Sequence, residues 1–208
     1  MGFSSLRRSA AASLLLSILA GPASAHHLMG GKIPSTFVQG LLSGLGHPVI
    51  GADHLAFLIA VGVIIGVARF HPALSLTFVV AMGFGVMLHV NGVNLPVAET
   101  AVAATVLMAG ALIARGRVLP VLAWAMLFVI AGIAHGFAYG ESIYGAERSP
   151  MAAYLLGLVL IQGAIVLGVA VAARRAGPNI SAVSTRLAGA AIGGVGAVML
   201  VVELVGSG

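Results

Sequence analysis

The chain has 208 residues, 60% of them hydrophobic and 7% charged, with a mean hydropathy of +1.14. A soluble domain carries about a quarter charged residues, so this composition is that of a polytopic membrane protein rather than a globular one. The formal net charge of +5 does not point to nucleic acid, because the basic residues are few and scattered; the absence of cysteine excludes disulfides, thiolate metal sites and thiol nucleophiles.

Residues 1–25 read as a cleaved signal peptide. Arg7 and Arg8 form a basic start, "SAAASLLLSILA" an apolar stretch, and Ala23-Ser24-Ala25 a small-residue cleavage site. The apolar stretch falls short of the roughly 20 residues that cross a bilayer. The mature chain, 26–208, is then expected to be a single transmembrane domain that opens on His26 and His27, a chelating start with a free α-amine.

The segment "TFVQGLLSGLG" is too short and too rich in glycine to span, and is expected to form an interfacial or re-entrant helix. Six apolar stretches follow, at 52–68, 73–90, 95–114, 118–139, 151–173 and 185–205, so the expected fold class is all-α with six transmembrane helices. Pro72, Pro96, Pro120 and Pro150 stand near the starts of four of them, where a missing N–H costs little. The same logic makes Pro48 the expected start of the first span's helix, directly after His47. Glycines recur at four-residue spacing, at Gly62/Gly66, Gly132/Gly136/Gly140 and Gly189/Gly193, a pattern that lets helices approach closely in lipid.

Charge sets the expected orientation. Arg69, Arg115, Arg117, Arg174, Arg175 and Arg186 fall in alternate connections, and the opposite side holds only Lys32 and Arg148. By the positive-inside rule the arginine side is cytoplasmic, which leaves both mature termini in the periplasm of a bacterial inner membrane. His47, Asp53, His54, His89, Glu99, His135, Tyr139, Glu141 and Glu203 then gather toward the outer side, and only His71 lies with the arginines.

That gathering is chemically informative. His47 and His54 are seven residues apart, which on one helix would put them on a shared face, and Asp53 is placed to orient an imidazole through its second nitrogen. Carboxylates and imidazoles inside a membrane with no matching Lys or Arg suggest a bound cation. Imidazole with carboxylate and no thiolate suits nickel, cobalt, zinc or copper(II) better than copper(I).

The stretch "HPVIGADHLAFLIAVG" (47–62) resembles the HPxxGxDHxxxMxxVG signature of the HupE/UreJ nickel permeases, and "HGFAYGE" (135–141) is similar to that family's later HGxAHGxE motif. The resemblance covers most of the mature chain, including the histidine start after a signal peptide and a glutamate early in the third span, Glu99. It implies a nickel or cobalt permease in which His47, Asp53, His54, Glu99 and His135 form the metal path, with His26, His27, His89, Tyr139 and Glu141 as further candidates. The chain departs from the pattern in three places. Phe57 or Leu58 stands where many members carry Met, Tyr139 stands in the second histidine position, and a glutamate appears one residue early, as Glu141.

The leading expectation is a secondary permease, since no P-loop pattern and no large cytoplasmic segment is present to hydrolyse a nucleotide. Two rivals belong to other classes: an intramembrane zinc-dependent hydrolase, and a b-type haem protein with His54 and His135 as axial ligands. The permease reading expects no catalytic residues, no permanently bound cofactor and no nucleic-acid partner. Its partners are the divalent ion and the lipid bilayer, with a homo-oligomer and metalloenzyme-maturation partners left open.

Overall fold

A computed structural model describes residues 32–117, 119–177, 179 and 182–206. The expected signal peptide, His26 and His27 lie outside the described residues. Among the described residues the regular structure is helical: α1 Phe37–Ile50, α2 Ala52–Val67, α3 Ser75–Val90, α4 Ala98–Ala114, α5 Val121–Glu141, α6 Arg148–Ala176 and α7 Val183–Gly206. A 3₁₀ turn, Pro72–Leu74, leads into α3. Each expected span has its helix, displaced by a few residues at the ends.

Four helical segments are by themselves long and apolar enough to cross a membrane: Pro72–Val90, Val121–Glu141, Arg148–Ala176 and Val183–Gly206. The pair α1 and α2 passes the same test only when taken together, bent by 78° at a short break, and α4 is apolar but only 17 residues long. The protein is therefore a multi-pass membrane protein, with four such helices among the described residues, or five with the bent pair. Its large exposed apolar side chains, among them Val80 and Phe84 on α3 and Leu122 and Met126 on α5, form the surface that such a chain turns to lipid.

The break is built by two residues. Thr36 caps α1, its hydroxyl accepting the Gln39 N–H at 3.2 Å. Pro48 does not start the next helix, as its lack of an N–H had suggested, but lies inside the last turn of α1. A proline N-terminal to the break removes one helical hydrogen bond and weakens the turn that holds it. Gly51, at φ −71° and ψ 107°, then ends α1 and opens α2, with its N–H on the His47 carbonyl and its own carbonyl taking the Leu55 N–H. A side chain at Gly51 would meet the His54 ring at 2.7 Å, so the elbow needs glycine for close approach. His47 and His54 consequently sit on two helices either side of a bend, and do not share one helical face.

Close glycine contacts set the helix pairing. Gly40 meets Pro150 and Gly44 meets Tyr154, then Gly62 meets Val166 and Gly66 meets Ala170. Contacts that climb together on both sides mean that α1 and α2 follow α6 in one direction, over about 30 Å from Pro150 to Ala170 at 1.5 Å per residue. Gly132 against Phe78 and Gly140 against His89 make α3 and α5 parallel. Gly189 against Ala114 and Gly196 against Leu107 make α4 and α7 antiparallel. All these relations fit a chain whose spans alternate in direction, with α1 and α2 counted as one interrupted pass. Without a hydrophobic drive between helices in lipid, backbone approach at small residues supplies the dispersion energy that pairs them.

Helix α2 occupies the centre. Thirteen of its 16 residues are buried, against α6, α4 and α7, because it is apolar on every side below its first turn. At its far end the Arg174 guanidinium donates to the Phe70 carbonyl at 2.6 Å, and Arg186 Nε to the Ala114 carbonyl at 3.1 Å. These contacts gather the arginine-bearing connections at one end of the bundle. His71 is exposed there, its Nδ1 accepting the Ala73 N–H at 3.2 Å as a helix cap.

Candidate functional site

The elbow between α1 and α2 brings His47, Asp53 and His54 into the protein, each at most 3% exposed. Helix α5 adds His135 and Tyr139, both fully buried, and α6 adds Tyr154. The rings form a continuous cluster. His54 lies 5.5 Å from His47, 4.9 Å from His135 and 4.4 Å from Tyr139 between ring centres, and His47 lies 4.9 Å from Tyr139.

Counting hydrogens assigns the imidazole tautomers. Thr105 donates its one hydroxyl hydrogen to the Val102 carbonyl at 2.8 Å, so toward His135 Nε2, at 3.3 Å, its oxygen can only accept. A neutral His135 thus carries its hydrogen on Nε2, and its bare Nδ1 accepts from His54 Nδ1–H at 2.8 Å. Tyr154 donates its hydroxyl hydrogen to the Tyr139 carbonyl at 2.9 Å, so at 2.7 Å it accepts from His47 Nδ1–H. His47 and His54, when neutral, therefore both carry a lone pair on Nε2, the form in which imidazole ligates a metal.

Asp53 sits at the very start of α2. Its Oδ1 accepts the His54 backbone N–H at 2.7 Å in the first turn of α2, and lies 3.9 Å from His54 Nδ1, beyond hydrogen-bonding range. The His135 ring, not Asp53 Oδ1, receives the His54 Nδ1–H. At the N-terminus of α2 the carboxylate is favoured by the helix dipole, and it places negative charge beside the histidines.

The other candidates divide. Glu99, at the start of α4, is partly buried and within electrostatic reach of Asp53, Glu141 and Glu203, so four carboxyl groups lie toward the same end of the bundle. Glu141 is exposed, while the next residue, Ser142, is buried and holds its hydroxyl 3.2 Å from His47 Nδ1. The final position of the HGxAHGxE register therefore belongs to Ser142. His89 stands apart, its ring against Phe137 and Tyr144. Among the described residues no three His, Asp or Glu side chains converge closely enough to hold a metal ion in this conformation.

Four contributors escape a reading of motifs: Thr105, Ser142, Tyr154 and Gln162. Gln162 had a legible signal, as a lone amide in the apolar run 151–173, where polar groups are expensive and tend to be functional. Beyond the cluster, toward the arginine end, the core turns mainly apolar. Phe57 packs 4.8 Å from the His135 ring and 5.3 Å from Phe78, and Val61, Ile64, Ile65, Ile113 and Phe128 continue the seal.

The fold and its site define a multi-pass helical membrane protein with buried imidazoles and a carboxylate at a break in a span, an arrangement suited to handling a small cation. Residues 14–199 match the family model described as HupE / UreJ protein, and the chain belongs to that family. It is similar to Protein HupE of Rhizobium leguminosarum bv. viciae, at 33% identity over 190 residues that cover 89% of this chain and 95% of that protein. No solved structure matches. Members of the family are transporters rather than enzymes, and the family is associated with nickel and cobalt uptake.

Proposed function

We propose that the protein is a secondary permease that admits a divalent ion, nickel or cobalt, from the periplasmic side of a bacterial inner membrane. Six passes are counted in this reading, with α1 and α2 as one interrupted pass and α4 as a short one. The observation that carries it is the pair of imidazoles at the break, His47 and His54, each held by its Nδ1–H so that Nε2 bears the lone pair. Discontinuous spans place transport sites at such breaks because the exposed helix ends and nearby side chains replace part of an ion's hydration.

Asp53 and Glu99 supply the carboxyl groups that draw a dication to the mouth, and His135 holds His54 in its ligand tautomer until the ion separates the two rings. Imidazole and carboxylate without thiolate bind firmly enough to displace water and weakly enough to release. The membrane potential drives the ion inward with about 2.3 kcal/mol per charge per 100 mV, doubled for a dication. The apolar seal around Phe57 and Phe78 closes the path toward the arginine end in this conformation.

The experiment is accumulation of nickel, cobalt, copper and zinc, measured together in cells with and without the protein. A rise in nickel or cobalt is expected; no rise, or a rise confined to copper or zinc, overturns the reading. Orientation is tested separately. Reporters active only in the cytoplasm should work when fused at Gly116 and Gly177, beside the arginine clusters, and fail at Asn94 and Gly145. The reverse pattern would turn the histidine cluster to the cytoplasmic side.

A further inference from the structure

Gln162 is 1% exposed at the middle of α6, and neither atom of its amide makes a hydrogen bond. The Tyr139 hydroxyl, fully buried, makes none either. The amide faces that hydroxyl as its nearest polar partner, at a separation longer than a well-formed hydrogen bond. Three polar atoms are thus buried with no partner at good hydrogen-bonding geometry, an arrangement that costs stability. A purely structural position would be filled by leucine at no such cost.

Their location is specific. The Tyr139 ring packs on both His47 and His54. Gln162 lies eight residues beyond Tyr154, the partner of His47, or about 12 Å further along α6. The buried residues of α6 beyond it are Val166 and Ala170, so Gln162 is the last polar side chain that this helix buries before the apolar half. We infer that the Gln162 amide oxygen and the Tyr139 hydroxyl form a second station, which receives a divalent cation from the histidines and holds it through neutral oxygen donors.

This rests on the permease reading and adds a site to it. Neutral oxygens attract a dication less than carboxylates and leave it part of its water, which suits a station that must pass the ion on. Tyr139 stands where the HGxAHGxE pattern has its second histidine, so this chain offers an oxygen where that pattern offers a nitrogen. No bond is made or broken covalently; the ion exchanges ligands.

The test uses the full chain with Gln162→Leu, and with Tyr139→Phe as an isosteric second variant should the first fail to accumulate. Cells are assayed for nickel and cobalt uptake, and the purified protein is titrated with cobalt(II) alone and followed by its visible absorption. Uptake is expected to fall about tenfold or more at unchanged protein level, with a cobalt spectrum altered from wild type by loss of an oxygen donor. Normal uptake by the variants alongside an active wild type overturns the station and leaves the permease reading intact. Lost uptake with an unaltered cobalt spectrum also overturns it, since the two side chains would then act only in packing. A wild-type chain that moves neither metal removes the permease reading itself.

Discussion

Replacing His54 by alanine should reduce metal uptake to that of cells lacking the protein, while the chain still inserts and accumulates. His54 joins three other rings of the cluster, through its bond to His135 and its ring contacts with His47 and Tyr139. Its removal takes away one lone-pair donor and leaves His135 Nδ1 without its partner. Asp53→Asn separates charge from structure at the adjacent position. The amide oxygen can still accept the His54 backbone N–H that Asp53 Oδ1 accepts at 2.7 Å, so α2 keeps its first turn while the negative charge is lost. Uptake should fall to the same floor with the melting curve nearly unchanged. His71→Ala, at the arginine end, should transport as wild type, because His71 caps a 3₁₀ turn on the surface. Normal uptake by both site variants, or their loss only through degradation, would make the cluster structural.

The second large effect falls on packing. Gly136→Ala should lower the melting temperature by several degrees and deplete the folded protein in the membrane. A Cβ there would run into the Met82 carbonyl oxygen, with the Met82 carbonyl carbon and Cα both at 2.8 Å. The obstacle is helix backbone, which cannot swing aside as a side chain can, so α3 and α5 must separate at a cost of about 1–3 kcal/mol. His135 is the neighbouring residue, and the same displacement should pull it from His54 and reduce uptake in the molecules that remain folded. Gly83→Ala supplies the contrast on the other face of α3, where a Cβ would meet nothing within 4 Å. Equal melting curves for the two variants would show that the close approach at Gly136 contributes nothing to stability.

The helices themselves were legible because a bilayer imposes length and apolarity on each segment independently of its neighbours. The arginines, the prolines near the starts and the run from His47 to His54 are likewise local features, and each could be read in place. The path of the chain through the elbow was not. Pro48 is compatible with a helix start and with a last turn, and only the packing of Gly40 and Gly44 on α6 keeps it in α1. The contact of Asp53 with the backbone N–H of His54 was likewise not legible, since it depends on where α2 begins.

Composition and hydropathy alone determined that this is a helical multi-pass membrane protein, and the signature around His47, Asp53 and His54 marked the stretch that forms the buried elbow. The pairing of α1 and α2 with α6, of α3 with α5 and of α4 with α7 belonged to the tertiary structure. Helices buried in lipid carry no amphipathic stripe to announce their partners, and the glycines that pair them show where contact occurs but not with which helix. Only that pairing could bring Tyr154 to His47, Ser142 into the register that Glu141 had seemed to fill, and Gln162 beside Tyr139. These residues are separated along the chain by up to 107 positions, and contacts across such distances leave no periodicity for a linear reading to detect.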